Sequence, residues 1–283
     1  MQDWATRYDL FWTARTKVFD EILAEEHSLA RVQARFDDYE RHHQMKSDGA
    51  TSFYVEGPPP PDAISTLEIN DQLIVAGTSI RAPALLDFRR DRLLARMSKE
   101  MDCVIELGAG YGRQIFDMWL AGATKTARYI ACDYSRSGLA LAARLARLEP
   151  ELQFETAAFD LRDPVLPNLD AYGNILLFSA ATMIYSQPFN TDIFKAIAAI
   201  KGSVTCIFFE PFGFQVNASA PHSKAQQLQM LANGWNLDFY EKLTGKGAEY
   251  GLEVIAIAQD LIGAVESPVQ VLTAFVVSKP GQM

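Results

Sequence analysis

The chain has 283 residues, enough for one large domain with or without an N-terminal addition. Its hydrophobic content of 49% and charged content of 22% are ordinary for a globular protein. The formal net charge of −9 argues against a general nucleic-acid binder, because affinity for DNA or RNA comes largely from phosphate neutralisation. No apolar run approaches the roughly 18 residues that cross a bilayer. No basic leader precedes an apolar core, so we expect a cytoplasmic protein without membrane contact.

Residues 1–46 have helical periodicity, with aromatic and aliphatic residues recurring mostly at three- and four-residue steps. One long helix and a helical pair both fit this pattern. The apolar stripe must be buried either on the main domain or on a second subunit. The segment therefore predicts a cover over the active site or a homodimer interface.

Residues 47–62 interrupt the helical pattern with turn signals and a proline run. The run from Pro58 to Pro61 cannot form a helix or a central strand. Before it, the stretch from Ser52 to Val55 fits a short strand or a flap. We therefore expect residues 1–62 to form an N-terminal helical extension with its linker, and residues 63–283 to form the main domain.

From residue 102 the pattern alternates between strands and helices, after an amphipathic helix predicted by apolar spacing between Leu85 and Met97. Strands are predicted near residues 102–107, 128–133, 152–157, 173–179 and 203–210, and helices near residues 112–121, 137–148 and 190–201. This alternation predicts an α/β fold, a Rossmann-like doubly wound sheet that is mostly parallel and has helices on both faces. Two further strands, near residues 252–260 and 269–278, should form an antiparallel C-terminal hairpin at the sheet edge, because no helix fits between them.

Three glycines, Gly108, Gly110 and Gly112, alternate with other residues between the first predicted core strand and its helix. Glycine adopts backbone dihedrals closed to other residues and lets a ligand lie directly on the main chain. The helix that follows offers unpaired N–H groups and the positive end of its dipole. An ordinary strand–turn–helix unit without a ligand is the alternative interpretation.

The spacing of these glycines is G-x-G-x-G, and Glu106 stands two residues before the first of them. This pattern resembles motif I of the class I S-adenosylmethionine (SAM)-dependent methyltransferases, and it differs from the G-x-G-x-x-G fingerprint of dinucleotide-binding enzymes. The resemblance covers roughly residues 100–280 and is specific at the level of the superfamily. It implies SAM as the cofactor, with Glu106 at the methionine end. The turn residues that would lie against the cofactor are Gly108, Ala109, Gly110, Tyr111 and Gly112.

Polar residues follow the next strands at the edge where ligands bind in open α/β sheets. Asp133 ends the second predicted strand, and the resemblance implies that it accepts hydrogen bonds from the ribose hydroxyls. Its alternative role is the N-cap of the following helix. Asp160 ends the third strand, where the family places an acid on the adenine amino group, and a surface turn is the alternative. The further residues that the resemblance places at the cofactor are Tyr134, Ser135, Leu161, Ser179 and Ala180.

Several acceptor motifs are absent from the sequence. It contains no N-P-P-Y or D-P-P-Y motif of base amino-methyltransferases and no Pro-Cys nucleophile pair for cytosine methylation. It also has no carboxylate cluster for Mg²⁺ beside a catechol and no evident paired-glutamate loop of protein arginine methyltransferases. Together with the acidic charge, these absences predict a small-molecule acceptor and no metal. We prefer a hydroxyl acceptor, hence an O-methyltransferase. A small-molecule N-methyltransferase, a non-catalytic SAM-binding protein and, less favoured, an NAD-dependent oxidoreductase stay open.

Two residues are candidates for the general base that a hydroxyl acceptor needs. Glu210 ends the fifth predicted strand, on the acceptor side of the sheet. His222 follows it and is the only one of the four histidines outside the N-terminal helical segment. We expect His222 to be the base and Glu210 to orient it or to replace it. A plain helix start at His222 is the alternative.

Overall fold

The computed structural model describes residues 4–48, 51–57, 65–69, 72–76, 82–220, 223–264 and 272–281. Its α-helices are α1 (Trp4–Glu25), α2 (Leu29–His42), α3 (Ala82–Met97), α4 (Arg113–Leu120), α5 (Arg136–Ala146), α6 (Asp192–Ala198), α7 (Gly213–Val216), α8 (Ser223–Asn233) and α9 (Phe239–Lys242). Its strands are β1 (His43–Ser47), β2 (Ser52–Glu56), β3 (Ser65–Ile69), β4 (Gln72–Ala76), β5 (Cys103–Leu107), β6 (Arg128–Asp133), β7 (Phe154–Ala158), β8 (Asn174–Ala180), β9 (Ser203–Glu210), β10 (Glu253–Ala264) and β11 (Leu272–Lys279).

The main sheet of the described residues has nine strands in the order β4-β3-β10-β11-β9-β8-β5-β6-β7. The five strands from β9 to β7 pair in parallel, so their carboxyl ends share one edge of the sheet. Strand β11 runs antiparallel between β9 and β10. The alternating sequence pattern predicted this mostly parallel sheet with an antiparallel C-terminal pair, and the prediction is confirmed.

A second hairpin continues the sheet beyond β10. Strands β3 and β4 pair antiparallel, and β3 meets β10 at Gly263 and Ala264. The C-terminal pair therefore does not form the edge of the sheet at this end, contrary to the sequence-based expectation. In the sequence, the dipeptide Asn70-Asp71 separates the β3 residues from a short, mostly apolar run, a spacing that fits a two-residue hairpin turn. The apolar spacing between Leu85 and Met97 predicts the helix of this region but not the hairpin.

Successive strand residues point to opposite faces of the sheet and divide the core into two halves. Val104 and Ile207 lie in the half that contains buried residues of α1 to α5. Ile105 and Phe208 lie in the other half, with buried residues of α6 to α9. Both faces of the sheet are therefore covered, as its continuous apolar strands require.

Helices α1 and α2, here called the N-terminal helical pair, pack on the first of these faces. Trp12, Phe19 and Phe36 are buried in the same cluster as residues of α4 and α5. Phe19 stacks on Phe36 with ring centroids 4.2 Å apart. The pair continues into a small ribbon in which β1 and β2 run antiparallel. The aromatic stripe is thus buried within its own chain, while a homodimer and the boundary at residue 62 stay predictions.

Candidate functional site

The glycine-rich turn (residues 108–112) connects β5 to α4 at the carboxyl edge of the sheet. Its three glycines have φ angles of 72°, 57° and 82°, in the left-handed region that favours glycine. The N–H groups of Gly108 and Ala109 donate to the Cys132 carbonyl at 2.8 and 3.0 Å. The main chain of the turn is therefore fixed against the next strand in a conformation that side chains would disfavour.

Two of these glycines are also packed too closely to carry a side chain. A Cβ atom on Gly108 would lie 2.3 Å from Thr182 Oγ1, and one on Gly110 would lie 2.4 Å from Trp12 Cζ2. Thr182 belongs to the segment after β8, whereas Trp12 belongs to α1. The turn is thus held from two sides, by the N-terminal helical pair and by the segment that follows β8.

Asp133 ends β6 and is 2% exposed. Its Oδ2 accepts a hydrogen bond from Gly110 N at 2.7 Å, and its Oδ1 accepts one from Ser135 N at 2.7 Å. Burial raises the pKa of Asp133 to about 6, against the opposing effect of N–H donors from Ser135, Gly110 and Tyr134. The N-cap of α5 is Ser135, whose Oγ accepts a bond from Gly138 N at 3.0 Å. The capping role considered for Asp133 therefore falls to Ser135, and the Asp133 carboxylate is bonded to the glycine-rich turn.

Glu106 is 3% exposed, and its Oε2 has no hydrogen-bond partner within the described residues. Burial raises its pKa well above the ordinary value, although the positive charge of Arg90 opposes the rise. Glu106 pairs with Ala131, so its side chain points to the same face as that of Asp133, two residues further along β6. A buried carboxylate oxygen without a donor is unfavourable. Glu106 is therefore a point in the site where a donor from a ligand fits.

Helix α1 covers this edge with aromatic rings. Trp12 is 6% exposed, and its ring meets those of Tyr8 and Tyr111 edge-on, with centroids 5.8 and 5.4 Å away. Burial, and after it the negative charge of Asp133, raises the pKa of Tyr8. In the sequence these rings were visible only as members of an apolar stripe, so the sequence did not assign Tyr8 or Trp12 to the site.

Two sets of polar contacts, called clamps here, hold the N-terminal helical pair against the residues that flank the turn. Asp9 Oδ1 accepts hydrogen bonds from Ser135 Oγ and Ser137 Oγ, both at 2.6 Å. Asp37 is bound by both terminal nitrogens of the Arg113 guanidinium, with Nη2 2.9 Å from Oδ2. One clamp therefore ends at the start of α5, and the other ends at the first residue of α4.

Asp160 follows β7 in a more open setting. Its Oδ1 and Oδ2 accept bonds from Arg162 Nε and Nη2 at 3.0 and 2.7 Å, and this pairing lowers the pKa of Asp160. The Arg162 guanidinium lies 5.1 Å from the centroid of the Tyr134 ring, which is 42% exposed. Leu161, which lies between Asp160 and Arg162 in the sequence, is partly buried. These residues form an exposed rim beside the buried Asp133.

Glu210 ends β9 and is fully buried. Its Oε1 accepts bonds from Ser179 Oγ at 2.7 Å and Thr182 N at 3.1 Å, and its Oε2 accepts one from Met183 N at 3.1 Å. Burial raises the pKa of Glu210 to about 7, against the opposing effect of these donors. The carboxylate thus holds the end of β8 and the β8 loop, defined here as residues 181–186.

The β8 loop has an unusual backbone and is braced from outside. Ala181 has a φ of 50°, in the left-handed region that residues with side chains seldom adopt. The Tyr185 ring meets the Trp235 ring edge-on at 5.7 Å between centroids. Asn236 is fully buried, and its Nδ2 donates to the Ser186 carbonyl at 2.9 Å. The segment between β9 and β10 therefore supports this loop.

The remaining predicted site residues fall at the same edge or outside the described residues. Ser179 is engaged with Glu210, and Ala180 is partly buried at the end of β8. His222 lies outside the described residues, so its proximity to Glu210 stays a prediction. On one side of it, Ser223 begins α8 and donates its N–H to the Ala220 carbonyl at 3.0 Å.

Neither a metal cluster nor a membrane span occurs in the described part of the chain. There, no group of three or more His, Cys, Asp or Glu residues is placed to hold a metal ion. None of the described helices is long and apolar enough to cross a membrane. The three cysteines, Cys103, Cys132 and Cys206, are free and buried.

With its parallel core, its antiparallel β11 and its glycine-rich turn after β5, the chain has the fold of the class I SAM-dependent methyltransferases. A candidate O-methyltransferase from Nostoc punctiforme is 19% identical, with a TM-score of 0.50, over 70% of this chain and 58% of its own. Geranyl diphosphate C-methyltransferase from Streptomyces coelicolor is 11% identical, with a TM-score of 0.46, over 69% of this chain and 78% of its own. A SAM-dependent methyltransferase from Aquifex aeolicus is 12% identical, with a TM-score of 0.43, over 69% of this chain and 92% of its own. No protein-family model and no curated protein matches the sequence. The likeness shows the fold.

Proposed function

We propose that this protein is a SAM-dependent methyltransferase that acts on a small-molecule acceptor. The observation that carries the proposal is the Asp133 carboxylate, buried at the end of β6 and bonded to Gly110 N. Ligands of open α/β sheets bind at the carboxyl ends of the strands. A carboxylate at that edge, joined to a turn of glycines, suits a nucleoside with adjacent hydroxyls.

The residues present fit SAM along its length. Asp133 accepts bonds from Gly110 N and Ser135 N, and a carboxylate offers about four lone-pair positions, so acceptor capacity remains for ribose hydroxyls. Glu106 Oε2, buried without a partner, suits the α-ammonium of the methionine end. Asp160 and Tyr134, joined through Arg162, suit the adenine ring and its amino group.

When bound, SAM supplies an activated methyl group on its sulfonium. The residues of this chain would align an acceptor with that methyl group, exclude water and, for a hydroxyl acceptor, receive its proton. Positioning of this kind supplies about 7–11 kcal/mol of a reaction barrier. The β8 loop suits that task, because Glu210 fixes it from within and Asn236 fixes it from outside.

We propose His222 as the general base for a hydroxyl acceptor, with Glu210 orienting it or replacing it. His222 follows β9, on the acceptor side of the sheet, and an imidazole titrates near neutral pH. His222→Ala should lower kcat by roughly 10²- to 10⁴-fold. SAM affinity, measured in parallel, should be nearly unchanged. A loss of only a few-fold would move the role to Glu210 or to an acceptor that needs no base.

A small-molecule N-methyltransferase is the second candidate, and the surroundings of Glu210 favour it. The Glu210 oxygens already accept three bonds from Ser179 and the β8 loop, which makes this acid a poor proton acceptor for a substrate. An amine that binds in its neutral form needs no base. Comparing a phenol library with an amine library would separate the two candidates.

Calorimetric titration tests the proposed cofactor. We expect SAM and S-adenosylhomocysteine to bind the full chain, and NADH not to bind. Binding of NADH without SAM would overturn the proposal in favour of an oxidoreductase. Turnover is tested by mass spectrometry of a small-molecule extract incubated with labelled SAM. Binding without any labelled product would identify a non-catalytic SAM-binding protein.

A further inference from the structure

Strand β7 is the last strand at one end of the nine-stranded sheet, and within the described residues it pairs only with β6. An edge strand presents unpaired backbone N–H and C=O groups, which proteins commonly protect with lysine, proline or a bulge. The β7 sequence, Phe-Glu-Thr-Ala-Ala, has neither lysine nor proline, and its register with β6 is regular. Its one acid, Glu155, is already paired with Arg128 of β6, with Oε1 3.2 Å from Nη1. This edge is therefore open to another strand.

The hydrogen bonds at both ends of β7 show which of its backbone groups face β6. The Gln153 carbonyl accepts a bond from Tyr129 N at 2.8 Å, and Phe159 N donates to the Asp133 carbonyl at 3.0 Å. Backbone groups along a strand alternate between its two sides, so the odd-numbered residues of β7 face β6 and the even-numbered residues face outward. The outward N–H and C=O groups belong to Phe154, Thr156 and Ala158.

A groove of about 580 Å³ lies beside this edge, between β7 and the end of α5. The Phe154 side chain points to the α5 face of the sheet, where its ring centroid lies 5.4 Å from that of Phe116. Thr156, which is exposed, follows on the same face. On the helix side, the groove is lined by the small side chains of Ala143 and Ala146. Small residues leave room for a second element to approach closely.

One cation and one acid of the groove have no ion-pair partner within the described residues. They are Arg147, which is exposed, and Glu149, whose Oε2 accepts a hydrogen bond from Trp119 Nε1 at 3.1 Å. Two copies of a chain with a net charge of −9 repel each other at most surfaces. A groove with both signs of charge avoids this repulsion, because a two-fold axis brings the cation of each copy towards the acid of the other. The charge pattern therefore fits a second copy of this chain.

We propose that two copies of this chain pair antiparallel through β7, about a two-fold axis at Thr156, and so form one continuous sheet. The outward residues are centred on Thr156, and an axis perpendicular to the sheet there reverses the strand and keeps both α5 helices on one face. Thr156 then faces its own copy, and Phe154 faces the small Ala158. Each of these pairs exchanges two backbone hydrogen bonds. Glu155 lies level with Ala157 of the copy, so the two acids are not directly opposite.

Analytical ultracentrifugation of the full chain tests the association. The wild type should be dimeric at micromolar concentration. Thr156→Lys and Thr156→Glu each place like charges directly opposite each other across the axis, which is destabilising, so each variant alone should be monomeric. Thr156→Val is the matched control, because it changes the same exposed side chain without adding charge, and it should stay dimeric.

Mixing the two charged variants tests the axis itself. Residue 156 of one chain faces residue 156 of the other, so an equal mixture of Thr156→Lys and Thr156→Glu should recover the dimer. An interface elsewhere on the molecule would show neither the loss in the single variants nor the recovery in the mixture.

Amide hydrogen exchange tests the register in the unmodified protein. When about nine-tenths of the chains are dimeric, exchange at the outward amides should be about tenfold slower than in dilute solution, because only the monomer exposes them. The amides of Glu155 and Ala157, which face β6, are the internal control and should exchange equally at both concentrations.

A wild type that stays monomeric up to its solubility limit would overturn the inference. So would a dimer that Thr156→Lys leaves intact, or outward amides whose exchange does not depend on concentration. If both charged variants fail to fold, the exchange comparison on the wild type decides alone. Protection of the outward amides that appears only when a different protein is added would replace the second copy with a foreign extended segment.

Discussion

Asp133 and Glu210 are two buried carboxylates at the carboxyl edge of one sheet, and their partners differ. Burial raises the pKa of Asp133 to about 6 and that of Glu210 to about 7. Asp133 accepts bonds from the glycine-rich turn and from Ser135. Glu210 accepts three bonds, all from the end of β8 and the β8 loop. Burial and a raised pKa therefore do not by themselves mark a catalytic acid. The donors already bound decide whether a carboxylate is open to a ligand or holds the fold.

The two sides of the site are also covered by different parts of the chain. On the Asp133 side, the cover is the N-terminal helical pair, joined to residues more than 70 positions away through Asp37 and Arg113. On the Glu210 side, the β8 loop is braced by Trp235 and Asn236, from the segment before β10. The side proposed for the cofactor thus depends on the start of the chain, and the side proposed for the acceptor depends on its last third.

The largest effect should come from breaking the cover on the Asp133 side. Trp12→Ala removes a buried ring that packs on Gly110 and Tyr111. A buried aromatic replaced by alanine lowers the free energy of unfolding by about 3–5 kcal/mol. Thermal unfolding should therefore show a clear fall in Tm. Phe53→Ala removes a half-exposed ring from β2 and serves as the control, with a much smaller expected fall. Equal Tm values for the two variants would mean that Trp12 does not hold the turn.

The next effect in size concerns the cofactor. Asp133→Ala should weaken SAM by at least about tenfold, because hydrogen bonds to a charged group contribute about 1.5–3 kcal/mol each. Asp160→Ala is the matched comparison, since Asp160 lies on the exposed rim and is already paired with Arg162. Its effect on SAM should be smaller. Calorimetry on folded variants gives both values, and unchanged affinity in Asp133→Ala would remove Asp133 from the ribose role.

Glu210→Gln tests the other carboxylate. The amide keeps the shape of the side chain, but its NH₂ group would face Thr182 N or Met183 N, which now donate hydrogen bonds to the Glu210 oxygens. A buried donor left without an acceptor costs about 1–3 kcal/mol. We therefore expect kcat/KM for the acceptor to fall by about tenfold as the β8 loop loosens, with SAM affinity little changed. A fall in kcat of roughly 10²- to 10⁴-fold, with loss of the acidic limb of the pH profile, would instead identify Glu210 as the base.

The sequence predicted the parts of this architecture that rest on local pattern. Strands β6 and β9 coincide with the predicted ranges 128–133 and 203–210, because strands buried on both faces read as continuous apolar runs. The acid at the end of β6 and the glycines of the turn could be recognised because each stands at the end of such an apolar run or directly after it. Contacts between distant segments have no local signature. Tyr8 beside Asp133 and the donors around Glu210 therefore needed the structure, as did the attachment of β3 to β10.

The last expected effect, which needs no substitution, is a pH dependence of cofactor affinity that Asp133 sets. Ribose hydroxyls donate to its ionised form, so binding favours the carboxylate and releases a proton where Asp133 is protonated beforehand. With its pKa raised to about 6, affinity should be full above that pH and should fall as the pH drops through it. Between about pH 7 and about pH 5, the ionised fraction falls about tenfold. Calorimetry with SAM over this range gives the slope.

Asp133→Asn separates this titration from those of its neighbours. Tyr8 stays neutral, because its pKa is raised, and Asp9 stays ionised, because its pKa is lowered despite partial burial. Glu106 points to the same face as Asp133, and burial raises its pKa as well, so Glu106→Gln is the second variant to titrate. The Asn variant should bind SAM more weakly at neutral pH but with an affinity that no longer falls towards acid. If the fall persists in Asp133→Asn and disappears in Glu106→Gln, the proton belongs to the methionine end of the site and not to the ribose.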